Sequence, residues 1–126
     1  MKQPIFGSAL ALAAVTLAAL ALIPLATARI DRQAAATATT VQVKGGEFFF
    51  RLSAKSAAKP GKVTFSFKNV GHVRHDFKIN GKKTPLIRRG KTVKLVVSFK
   101  KKGTYPYLCT VPGHAEAGMK GVFKVR

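Results

Sequence analysis

The stretch Pro60-Gly61-Lys62-Val63-Thr64-Phe65-Ser66-Phe67-Lys68 decides the fold class. A Pro-Gly turn opens it, and then Val63, Phe65 and Phe67 alternate with Thr64, Ser66 and Lys68. A period of two puts the apolar side chains on one side of an extended chain and the polar ones on the other. That is the pattern of a strand with one buried face. The same alternation recurs on both sides of it. Upstream, Val41 and Val43 alternate with polar neighbours before Gly45-Gly46, and Phe48, Phe50 and Leu52 share one face of the next run. Downstream, Phe77 and Ile79 lead to the Asn80-Gly81 turn signal, and Val93, Leu95, Val97 and Phe99 run to the break at Lys100-Lys101-Lys102-Gly103. Tyr105, Tyr107 and Cys109 share one parity, and Phe123 and Val125 close the chain. No stretch from Val41 onward sustains a helical period. About seven short strands in fewer than 90 residues predict an all-β fold, a two-sheet β-sandwich, with a small antiparallel barrel as the competing architecture.

The chain has 126 residues, which allows one small domain. Hydrophobic residues make up 47%, too many for a disordered chain. One Cys excludes an intramolecular disulfide, and 23 Lys and Arg against 4 Asp and Glu give a formal charge of +19. Such a charge suggests nucleic acid when taken alone. The N-terminal segment argues against that partner. After Lys2 no charged residue occurs until Arg29, and Ile5 to Leu25 is dominated by Ala, Leu, Ile and Val. Pro24 ends the apolar run and Ala26-Thr27-Ala28 follows, the order of a secretory signal peptide. The competing reading is an uncleaved anchor, because about 20 apolar residues span a bilayer. Residues 1–28 are thus read as the signal peptide, 29–40 as a flexible leader and 41–126 as the folded domain, working in the periplasm, at the cell surface or secreted.

Chemistry concentrates in Cys109-Thr110-Val111-Pro112-Gly113-His114-Ala115-Glu116-Ala117-Gly118-Met119. Here a thiolate, an imidazole and a thioether lie within eleven residues. Thiolate and thioether favour Cu(I), and imidazole serves Cu(II) as well. A structural zinc site takes four Cys or His ligands, and an iron–sulfur cluster takes more Cys than this chain has. Each residue has a duller role when taken singly: Cys109 as a small core residue, Met119 as core filler, His114 as a loop histidine. The joint spacing favours a metal, and ligation would protect a free thiol in an oxidising compartment. A second histidine completes the set, and His72 and His75 are both candidates.

The motifs Tyr105-x-Tyr107-x-Cys109, Val111-Pro112-Gly113-His114 and Ala117-Gly118-Met119-x-Gly121 resemble those of the cupredoxins, the blue copper proteins. Asn69-x-Gly71 followed by His75-Asp76 resembles their upstream ligand segment. The resemblance covers residues 41–126. It departs in spacing: plastocyanin-like loops place fewer residues between Cys and His, and azurin-like loops fewer between His and Met. It implies a Greek-key sandwich and one type 1 copper ion per chain, bound by His75, Cys109, His114 and Met119. It implies a one-electron carrier, not an enzyme. A monomer that meets redox partner proteins is expected. Strand parity also favours His75, which shares its face with Phe77 and Ile79, over His72 in the preceding loop.

Further expectations follow for the surroundings of the metal. An Asp76–Thr110 hydrogen bond ties the two ligand segments together, with pairing of Asp76 to Arg74 or Lys78 as the alternative. The small and apolar neighbours of His114 (Val111, Pro112, Gly113, Ala115 and Ala117) form a docking patch around its ring. Lys82-Lys83, Arg88-Arg89, Lys91, Lys94 and Lys100-Lys101-Lys102 serve either an acidic partner or anionic membrane surface, or general solubility. Two rival functions use the same residues differently. An exported copper-binding or buffering protein needs an exchangeable site. A module for anionic cell-surface polymers leaves Cys109 and Met119 without a role.

Overall fold

The computed structural model of the protein describes residues 39–126. The segments read as signal peptide and most of the leader lie outside the described residues. Nine strands form two sheets: β1 (Thr39–Gly46), β2 (Phe49–Leu52), β3 (Ser56–Ala57), β4 (Gly61–Asn69), β5 (Lys78–Ile79), β6 (Lys82–Lys83), β7 (Thr92–Phe99), β8 (Gly103–Leu108) and β9 (Lys120–Val125). One sheet has the order β2-β1-β4-β7 and the other β3-β9-β8-β5-β6. β1 runs parallel to β4, and the chain changes sheet repeatedly, as a Greek-key sandwich requires. The all-β expectation holds. The strand count rises from about seven to nine because three strands have only two residues each, too short for alternation to show.

The alternating residues meet where the period of two places them. Val41, Val43, Val63, Phe65, Phe67, Val97 and Phe99 come from the first sheet, and Ile79, Tyr107, Phe123 and Val125 from the second, with Phe77 just before β5. Aromatic rings lock across the gap: Phe65 lies 5.3 Å from both Phe77 and Phe123, and Phe99 lies 5.8 Å from Phe123. Truncating a buried Phe in such a core costs about 3–5 kcal/mol through lost transfer energy and the cavity left behind. Gly71 stands where any side chain would intrude, since a Cβ there would sit 2.6 Å from a carboxylate oxygen of Glu47.

Two local expectations differ from the structure. Phe48 does not join Phe50 and Leu52 in the core; it lies in the turn between β1 and β2 and stays exposed. A short helix α1 (His114–Ala117) also forms in the loop between β8 and β9. Four residues make little more than one turn, and no periodicity announces so short a helix.

Candidate metal centre

Two loops of the sandwich supply the donors. β4 ends at Asn69, whose fully buried amide clamps the following loop. Its Nδ2 donates to the carbonyls of Val73 and Ile87, both at 2.8 Å, and its Oδ1 accepts from the Gly71 N–H at 2.8 Å. His75 follows and pairs with Ile87 as an isolated bridge. Its side chain is fully buried. His72, by contrast, has a side chain 76% exposed. Of the two candidate histidines, the structure brings only His75 to the cluster.

Cys109 directly follows β8, and its side chain is buried. The rest of its loop is closed by its own backbone. Cys109 N–H donates to the Met119 carbonyl, and Met119 N–H donates to the His114 carbonyl, both at 3.0 Å. Gly118, at φ 128°, completes the turn into Met119 in the left-handed region open to glycine; a Cβ there would lie 2.7 Å from the Phe48 carbonyl oxygen. Met119 is fully buried, whereas His114 is only partly so.

The donors converge. Nδ1 of His75 lies 3.1 Å from Nδ1 of His114, and the Cys109 sulfur lies 3.9 Å and 3.7 Å from these nitrogens. The centre of that triangle is about 2.1 Å from every corner, within the bond range of nitrogen and thiolate donors to a first-row metal ion. Burial pushes the Cys109 thiol above its ordinary range, so at neutral pH metal uptake displaces a proton from it.

The sequence match to the copper-binding proteins of the plastocyanin/azurin family covers residues 26–126. The chain belongs to that family. Solved structures agree on the fold. A dithionite-reduced auracyanin from Roseiflexus castenholzii superposes with a TM-score of 0.61 at 22% identity, covering 70% of this chain and 97% of its own. Auracyanin B gives 0.58 at 24% identity, covering 70% and 88%. Auracyanin A from Chloroflexus aurantiacus, described as a "blue" copper protein, gives 0.57 at 22%, covering 70% and 98%. No curated protein matches the chain. As a cupredoxin the chain takes copper as its cofactor, and the soft thiolate with two imidazoles, beside a buried thioether-bearing residue, suits that ion.

Carboxylates tie this cupredoxin site together. Asp76 Oδ1 accepts from the Thr110 N–H at 2.6 Å, and its Oδ2 accepts from the Thr110 hydroxyl. The expected link between the two ligand segments is therefore present, and Asp76 forms no ion pair with Arg74 or Lys78. A second carboxylate escaped sequence reasoning. Glu47, in the turn after β1, accepts from the His72 N–H at 2.8 Å and the Val73 N–H at 2.9 Å. Its Oε1 also lies 2.9 Å from His75 Nε2. The Val73 N–H, helped by the His72 N–H and the His75 side chain, lowers the Glu47 pKa to about 2. The one hint in the sequence is that Glu47 is among only four acids in a strongly basic chain.

One exposed aromatic ring lies against His114. Phe48 packs edge-on against the His114 ring at 5.1 Å between centroids and remains 43% exposed. Val70 and Val73, in the loop before His75, and Leu86, beside Ile87, are also exposed.

Proposed function

We propose that the protein is an extracytoplasmic one-electron carrier, with His75, Cys109, His114 and Met119 as the ligands of a single type 1 copper. One observation carries the reading: three donor atoms lie within bonding reach of a common point, two of their residues are sealed in the core, and the third, His114, is only partly buried and lies against the exposed Phe48 ring. Copper, when bound, supplies a one-electron couple between Cu(I) and Cu(II). The chain supplies the rest. Asn69, the His75–Ile87 bridge and the Cys109–Met119 backbone bond hold the donors so that little has to rearrange when the charge changes. Four protein ligands leave no open position for a substrate, which supports a carrier over an enzyme.

His114 is the route by which the electron enters and leaves. Phe48, exposed against the His114 ring, gives a partner an apolar contact on which to dock briefly, as weak redox encounters do. The partner is acidic. Lys82, Lys83, Arg88, Arg89, Lys91 and Lys94 are all exposed, and none forms an ion pair among the described residues. Screening shortens from about 30 Å at 0.01 M salt to about 8 Å at 0.15 M, so the encounter rate falls steeply across that range if these charges steer it. The location outside the cytoplasm rests on the signal-peptide pattern of residues 1–28.

Voltammetry of the copper-loaded protein separates a carrier from a copper buffer. A carrier gives a reversible one-electron wave and keeps its copper through repeated cycles. Loss of copper to a Cu(I) chelator after each reduction would favour the buffer.

A further inference from the structure

We propose that Glu47 is an anionic positioning residue that sets the reduction potential of the copper through the imidazole of His75. The inference rests on the copper reading above. His75 is sealed in the core, and the one side chain that meets its Nε2 is Glu47, at 2.9 Å. A carboxylate there accepts the Nε2 proton, which fixes the tautomer and leaves the Nδ1 lone pair free to face Cys109 and His114. The carboxylate is itself held still. Backbone N–H groups of His72 and Val73 donate to it, and Gly71 leaves the space it fills.

The distribution of charge points the same way. Among residues 39–126 there are twenty Lys and Arg and three carboxylates: Glu47, Asp76 and Glu116. Two of these three bind the segments that present the metal donors, and neither pairs with a Lys or Arg. A surrounding cationic field favours Cu(I), the state of lower charge. A fixed anion behind His75 opposes it by making the imidazole a stronger donor and by favouring Cu(II) electrostatically.

A loop staple with no electronic role is the alternative, and two measurements separate them. In Glu47→Gln the shape and one acceptor oxygen remain while the charge goes. The copper-loaded variant should stay blue, with the ratio of Cu(II) to Cu(I) affinity lowered about tenfold, an upward shift of about 59 mV for one electron. Glu116→Gln removes the same charge from α1 without touching His75 and should shift the potential far less. A Glu47→Gln potential equal to the parent's, with only thermal stability reduced, would make Glu47 a staple and overturn the proposal. So would equal shifts in the two variants. The second measurement needs neither copper nor mutation: nitrogen-15 NMR of the metal-free protein at neutral pH should show His75 protonated on Nε2. An Nδ1-protonated His75 would overturn the proposal even if Glu47→Gln failed to fold. A protein that binds no copper but shows the Nε2 tautomer would instead sink the copper reading.

Discussion

The Asp76 carboxylate receives both hydrogen-bond donors of Thr110, the backbone N–H at 2.6 Å and the side-chain hydroxyl. His75 precedes the first residue and Cys109 the second, so this pair fixes the distance between the two buried donors. Asp76→Asn keeps the side-chain shape but removes a negative charge beside the centre. The reduction potential should rise, because Cu(II) loses more than Cu(I) when that charge is lost. Spectroelectrochemistry reads this directly, and an unchanged or lower potential would contradict it.

His75 and His72 are three residues apart and occupy opposite environments, one sealed and one with its side chain 76% exposed. His75→Ala should abolish the blue absorption. His72→Ala should leave the spectrum and copper affinity nearly unchanged, because the loop contacts of His72 use its backbone N–H, which survives the substitution. Copper titration of both variants distinguishes them, and the reverse pattern would shift the register of the segment by an odd number of residues.

Met119 is fully buried beside the backbone that carries Cys109 and His114. As the fourth ligand of the proposed centre it would tune the copper without creating the site. Met119→Leu should remain blue, since two imidazoles and a thiolate persist, and its potential should rise because a donor that favours Cu(II) is gone. A colourless, copper-free variant would refute this division of roles.

Metal-free protein should weaken in acid in a defined window. The Glu47 pKa falls from 4.5 to about 2 on folding, chiefly through the Val73 N–H. A group with a depressed folded-state pKa stabilises fully above its unfolded value and loses that contribution as pH drops. The urea midpoint should therefore fall between about pH 4.5 and 2, and Glu47→Gln should remove part of that slope. Parallel curves for the two proteins would contradict it.

Much of this was readable because a half-buried strand writes its period directly into the chain. Phe65 and Phe67 alternate with polar partners, Tyr107 and Cys109 with less buried ones, and they point inward as that period requires. Cys109, His114 and Met119 were visible because one loop holds all three, and parity placed His75. Glu47 was not visible, since its role comes from pairing rather than from its neighbours. The β1–β4 register sets Gly45 beside Asn69, and only that brings Glu47 against a loop 25 residues further on. Phe48 was misplaced for a related reason: its parity matches Phe50, but the turn frees it from the sheet and lays it against His114. The two-residue strands β3, β5 and β6 are made by their neighbours and carry no pattern of their own.

The Cys109 thiolate, with His75, His114 and Met119, is proposed to bind one copper ion as a type 1 centre. Titrating Cu(II) into the metal-free protein while recording the visible spectrum tests it most directly. An intense blue thiolate-to-copper band should grow and saturate at one equivalent, and Cys109→Ser should never develop it. A colourless protein at saturation, or a blue band that persists in Cys109→Ser, would contradict the account.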